Sequence, residues 1–204
     1  MKSKFRSRAF WLRHMRQWHW ISAAVCLVGM LLFAITGITL NNAALIESSP
    51  RVQTQSQSLP ADVLAVTKAA REVAEIPQML QEWLRTQMGI KVGERTGEWS
   101  EQELYISLPR PGGDGWISID LADGAVSHET TDRGWIAYLN DLHKGRNTGA
   151  VWAWFLDVFA IATIVFCLTG LVLMQLMASG RPSTWPLVSM GFIVPALLLI
   201  LFIH

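Results

Sequence analysis

Charge is scarce in this chain. Asp, Glu, Lys and Arg make up 16% of 204 residues, where soluble domains carry about 25%. Cysteine is scarcer still: Cys26 and Cys167 cannot by themselves build a disulfide scaffold or a four-ligand metal centre. A formal net charge of +1 excludes a strongly basic nucleic-acid binder. No flavin- or nicotinamide-binding motif is present, so an electron donor, if one is used, has to be a separate partner or a small reductant. What the chain does hold is apolar surface. Hydrophobic residues make up 51%, there are ten Trp, and the mean hydropathy is +0.29, which points to a protein that keeps much of its apolar surface in lipid.

Three apolar runs carry that surface. Residues 21–40 contain no charge, and twenty residues at helical rise span about 30 Å, the thickness of a hydrocarbon core. Residues 151–177 hold only Asp157, and residues 186–204 form a third run, which Pro195 should bend. A basic N-terminal segment, residues 1–20, carries Lys2, Lys4, Arg6, Arg8, Arg13 and Arg16 with no acid. The loop at 178–185 carries Arg181 alone. Both are expected in the cytoplasm, which puts residues 41–150, with ten basic and fifteen acidic side chains, on the outer side together with the C-terminus. Trp11, Trp18, Trp20, Trp152 and Trp154 fit interfacial belts. The first run is longer than the apolar stretch of a cleaved signal, and no clear A-x-A site follows it.

The outer segment opens with residues 41–59, whose polar stretch at 47–58 reads as a linker. From Pro60 a helical pattern runs to Val73 through Val63, Val66 and Ala70. A second, from Met79 to Met88, places Leu80, Trp83, Leu84 and Met88 on one face. The period then shortens to two. Leu104, Ile106 and Leu108 alternate along one strand and Ile117, Ile119 and Leu121 along the next, joined by a loop at 109–115, and Asp123-Gly124 turns the chain into a third strand at 125–129. Residues 60–131 thus form a small α+β module, and 132–150 an amphipathic segment at the outer membrane face. Its acids are scattered over helix faces and turns, so the module is expected to bind or dock rather than catalyse.

At this point the residues resemble the PepSY-associated transmembrane family. Arg16-Gln-Trp-His19-Trp20 resembles its R-x-L-H-W start, and Thr36-Gly37 stands where the family places a TG. Ile119-Asp120 followed by Gly124-Ala-Val126 resembles the PepSY strand and turn, Leu142-His143-Lys-Gly145 resembles its L-H-x-G, and Thr169-Gly170 repeats the TG. The resemblance implies an α-helical membrane protein with three transmembrane helices and an inserted periplasmic PepSY-like α+β module, in a bacterial inner membrane. Its larger members, with more spans and more histidines than this chain, include haem-containing siderophore-iron reductases.

Haem ligation is the chemistry this family implies for the histidines. Ionisable groups near a span are costly, and imidazole is a common axial ligand for haem iron. His19 and His143 are the candidate iron ligands, one at the inner end of span one and one at the outer end of span two, about 30 Å apart. They cannot share one haem. A second imidazole is expected from His14 on the inner side, from His204 on the outer side, or from the same histidine of a second chain in a homodimer. Five residues separate His14 from His19, about 140° round a helix, so His14 is the weaker ligand and fits a headgroup-facing role. Gly37 and Gly170 lack side chains, which would let a porphyrin or another helix come close. Arg133, Lys144 and Arg146 cluster near His143, where propionates or lipid phosphates could sit.

Two functions follow. The first is a haem-b protein passing electrons from the cytoplasm to a periplasmic acceptor, with ferric siderophore as a candidate. The second is a bilayer-tethered module that binds and regulates a periplasmic partner protein without redox chemistry.

Overall fold

The computed structural model describes residues 8–46 and 49–203. Lys2, Lys4, Arg6, Glu47 and His204, to which the sequence assigns orientation, linker or ligand roles, lie outside the described residues. The chain divides into two compact units: one runs to Phe33 and resumes at Trp154, and the other is Ala34–Ala153.

Three helices in the described chain are long and apolar enough to cross a membrane. They are α1 (Arg8–Asn41), α5 (Gly149–Met177) and α6 (Thr184–Phe202). Helix α1 starts well before the uncharged run, because Trp11, Arg13, Arg16 and Trp18 are compatible with a helix whose first turns are amphiphilic rather than apolar. In the first unit α1 and α5 meet through small-to-large packing. A Cβ at Gly29 would sit 2.5 Å from the Phe159 ring edge, and Phe33 stacks on the same ring at 5.0 Å. Close approach of this kind is the main attraction between helices in lipid, where apolar burial gives no net gain. Helix α6 buries no residue. Its Trp185 indole donates to the Gln175 amide oxygen of α5 at 2.7 Å.

The second unit is built on a five-stranded antiparallel sheet. Its strands are β1 (Arg51–Ser58), β2 (Glu98–Trp99), β3 (Glu103–Ser107), β4 (Gly113–Asp120) and β5 (Ala125–Asp132), in the order β1-β5-β4-β3-β2. Alternation sends Leu104, Ile106, Ile117, Ile119 and Val126 to one face. There they pack with Val63 of α2 (Ala61–Ala70) and with Leu80 and Leu84 of α3 (Gln78–Gln87) in one core. The other face carries Tyr105 and Trp116, stacked at 6.1 Å, with the Trp116 indole near the Glu129 carboxylate at 3.4 Å. At the β4–β5 turn Gly124 adopts φ +77, a conformation that favours glycine. The Asp120 and Asp123 carboxylates accept the Ala122 and Ala125 N–H groups there.

Two sequence expectations change. Residues 51–58 are a strand and not a linker: β1 pairs with β5 along its whole length, from Arg51 opposite Asp132 to Ser58 opposite Ala125. All eight of its side chains are exposed, so it leaves no apolar alternation to read. The hairpin loop is also shorter than 109–115, because Gly113 and Asp114 already pair with Asp132 and Thr131 of β5. After β5 the amphipathic segment contains α4 (Gly134–Lys144), which ends in the left-handed Gly145 at φ 66.

His128 lies on the covered face of β5, opposite Ile117. Its Nδ1 is buried and among the described residues has no hydrogen-bond partner. Burial first, and the Arg110 charge second, hold its pKa below the ordinary value of 6.5. A depressed histidine contributes stability that is present above its unfolded pKa and is lost as the pH falls through the folded one. Amide protection factors in β4 and β5 of the full-length protein, corrected for the intrinsic exchange rate at each pH, should therefore fall from about pH 7 to about pH 5 more in wild type than in His128→Leu. An equal fall in both would show that His128 carries none of this pH dependence.

Candidate functional site

Helix α1 brings His19 against α5 within the first unit. Its Nδ1 lies 3.1 Å from the Phe166 carbonyl oxygen and 3.1 Å from the Thr169 hydroxyl, and its ring stacks on Phe166 at 4.5 Å. A carbonyl can only accept, so Nδ1 carries a proton. The Thr169 hydroxyl hydrogen has its own acceptors, the Val165 and Phe166 carbonyls at 2.7 and 3.0 Å, which leaves its oxygen free to accept from the imidazole. In the neutral ring the lone pair is then on Nε2, the atom through which such an imidazole binds a metal. A Cβ on Gly170 would come within 3.2 Å of the His19 Cε1, so glycine there leaves room for the ring.

The second unit repeats the arrangement. His143, near the end of α4, has its Nδ1 2.6 Å from the Thr36 hydroxyl of α1, and a Cβ on Gly37 would lie 3.7 Å from its Cε1. Each histidine therefore meets a threonine-glycine pair from a distant part of the chain. His19 engages the pair that ends span two, and His143 the pair that ends span one. The space over Gly37 and Gly170, which the sequence offers to a porphyrin or a helix, faces the edge of an imidazole.

Helix α4 is held on several sides, which fixes where His143 stands. The Thr39 hydroxyl donates to the Asn140 side-chain oxygen at 2.9 Å, and the Trp152 indole donates to the Leu142 carbonyl at 2.9 Å. Asp141, with a side chain only 5% exposed, ties α4 to the sheet. One carboxylate oxygen accepts the Gly112 N–H at 2.9 Å and the other meets Arg146 at 2.8 Å. Burial pushes the Asp141 carboxyl up, but the Arg146 hydrogen bond, the Gly112 N–H and the charges of Arg146 and Lys144 outweigh it and hold its pKa below 3.8.

The remaining candidates are placed as follows. His14 turns back on its own helix, with Nδ1 2.9 Å from the Phe10 carbonyl and its ring against Phe10. His204 lies outside the described residues. Among the described residues no three His, Cys, Asp or Glu side chains gather as a metal-ion ligand set. An iron held here would have to take most of its donors from elsewhere, as iron in a porphyrin does. Cys26 and Cys167 are both free thiols, the first buried and the second exposed. Sequence reasoning missed Thr36 and Thr169 as partners of the histidines. The signal was the repeated order of a histidine followed by Thr-Gly, present once in each half of the chain.

A family model described as "Putative PepSY_TM-like" matches residues 10–204, nearly the whole chain. The chain belongs to the PepSY_TM-like family. No curated protein and no solved structure matches it. The PepSY_TM-like match takes in both histidines, both Thr-Gly pairs and the sheet module between them.

Asp141→Ala should leave the Gly112 N–H without its acceptor and cost about 1–3 kcal/mol, read by chemical denaturation of the detergent-solubilised protein. The acid response has a definite sign. A depressed carboxyl contributes stability above its unfolded pKa of about 3.8 and loses it as the pH falls through the lower folded value. Wild type should therefore lose stability below about pH 4, and Asp141→Asn should lose less over the same range. Parallel acid curves for the two would remove Asp141 from this role.

Proposed function

We propose that this protein is a haem-b electron-transfer protein of the bacterial inner membrane that passes electrons from the cytoplasm to a periplasmic acceptor, with ferric siderophore as the candidate substrate. The observation that carries the reading is the His19 imidazole, whose Nδ1 proton is held by the Phe166 carbonyl and the Thr169 hydroxyl so that Nε2 is left with the lone pair. A ligand imidazole is commonly oriented in this way by a hydrogen bond at its other nitrogen. His143, with Thr36 at its Nδ1, offers the same arrangement in the other unit.

His19 and His143 would each offer one imidazole to a haem iron, and a homodimer would supply a second by symmetry. When bound, haem iron supplies one-electron chemistry by cycling between its ferric and ferrous forms. The chain's own part is to fix the two rings, keep the Phe166 ring against His19, and set the lone-pair nitrogen. The basic residues Arg8, Arg13, Arg16 and Arg181 favour a cytoplasmic N-terminus and loop, which puts the module and the C-terminus in the periplasm.

A second reading rests on β1, whose outer edge is exposed along eight residues. An open edge can take an added strand from a partner, as in a tethered module that regulates a periplasmic protein without redox chemistry.

A dithionite-reduced minus air-oxidised spectrum of the haem-replete, detergent-purified protein separates the two. Sharp b-type bands are expected, reduced by His19→Ala and by His143→Ala in protein that still inserts and elutes as wild type. Thr169→Val should keep the bands and shift the midpoint potential. A colourless folded preparation would overturn the haem reading in favour of the tether, and an unchanged spectrum in His143→Ala would strike that residue from the ligands.

A further inference from the structure

In the second unit a groove of about 1040 Å³ runs between the sheet and α4. Its lining has two chemistries. Arg51 at the start of β1, Arg110 in the β3–β4 turn and Arg133 just before α4 make a basic wall. Ile46, Trp135, Ile136 and Tyr138 make an apolar one. Asp132 is the one acid among the described lining residues, so three cations face one anion.

The neutralising contacts are loose. Arg110 stands 3.9 Å from Asp132 and Arg133 stands 3.9 Å from Asp114, with all four side chains 39–61% exposed. Arg110 also donates to the Thr131 carbonyl at 3.4 Å, and pairs this long and this wet are worth little, so each guanidinium keeps N–H groups for a further anion. Arg51 makes no ion pair among the described residues. The cluster differs from the one that sequence spacing suggests, because Arg146 is turned to Asp141 and does not line the groove.

In sequence the groove's lining is flanked by two of the long apolar helices. Ala43 and Ile46 directly follow α1, and α4 leads within five residues into α5. Trp135, 76% exposed on the apolar wall, is the type of side chain that sits at a bilayer interface.

We propose that this groove binds the headgroup phosphate of an anionic phospholipid from the surrounding bilayer, with Arg51, Arg110 and Arg133 on the phosphate and the glycerol and upper acyl chain along Trp135 and Ile136. Guanidinium forks match phosphate oxygens. The excess of positive charge disfavours a zwitterionic headgroup, whose ammonium would meet the same arginines. The apolar wall gives a soluble anion nothing to bury.

Full-length protein in nanodiscs of phosphatidylcholine mixed with phosphatidylglycerol, read by native mass spectrometry, tests this. Wild type should retain phosphatidylglycerol in preference to phosphatidylcholine. Each of Arg51→Gln, Arg110→Gln and Arg133→Gln should weaken the preference about fivefold, while Arg→Lys keeps most of it. Equal retention of the two lipids, or a preference unchanged in the triple variant, would overturn the proposal. Should the triple variant fail to fold, the single Arg51→Gln change decides: a weakened preference supports the site and an unchanged one overturns it. Inorganic phosphate should displace the lipid poorly; displacement by phosphate at comparable concentration would make this a free-anion site and overturn the lipid assignment.

Discussion

A polar ring beside an apolar helix has to find its hydrogen bonds within the protein, because lipid offers none. In this chain that requirement is met twice in the same way, by an imidazole whose Nδ1 reaches a threonine hydroxyl on another segment while its Cε1 edge lies over the following glycine. Much else serves that geometry. Glycine at 37 and 170 gives the rings room, Phe166 supplies a wall for one of them, and the end of α4 is tied through Asn140, Asp141 and Leu142 so that the other is held at a set position. The threonines each have a cost to offset, since a hydroxyl in a helix tends to bond back to its own carbonyls. Thr169 does so and still has an oxygen lone pair to offer.

A comparable use of few groups attaches the sheet module. Asp141 is the buried charge of α4, and it is satisfied by a backbone amide of the β3–β4 turn and by a guanidinium five residues further on. Docking α4 elsewhere on the sheet would take the Gly112 N–H from this carboxylate, while Arg146, five residues on in the same segment, would stay with it. The module's fold and the placement of His143 are thereby linked through one side chain.

Much of this was legible in the sequence, for identifiable reasons. The three long helices announce themselves by length and lack of charge. The α2 and α3 helices and the β3 to β5 strands show the apolar spacing that a half-buried element must have, as Leu80 with Leu84 and Ile117 with Ile119 do. Strand β1 was not legible, because Arg51 to Ser58 is polar at nearly every position and exposes both of its faces. It is held by backbone pairing to β5, which leaves no trace in side-chain type. The site was legible by residue type only. His19, His143 and the two Thr-Gly pairs could be picked out, but which histidine meets which pair depends on how the segments pack. The basic groove was hidden for a similar reason: Arg51, Arg110 and Arg133 are far apart in the chain, and Arg146 is withdrawn from the cluster by a carboxylate that no spacing rule identifies.

Strand β1 also bears on how this protein can change over evolutionary time. Apart from Arg51, which lines the groove, a strand whose side chains all point to water, and whose attachment runs through main-chain amides and carbonyls, places few demands on the identity of its residues beyond a capacity to stay extended. The polar letters after Arg51 are free to drift while the architecture stands still. A proline on the side that faces β5 is the change it would not tolerate, because that would delete a ladder hydrogen bond outright. The sheet's border is therefore the part of the module where related chains should diverge most in sequence and least in shape.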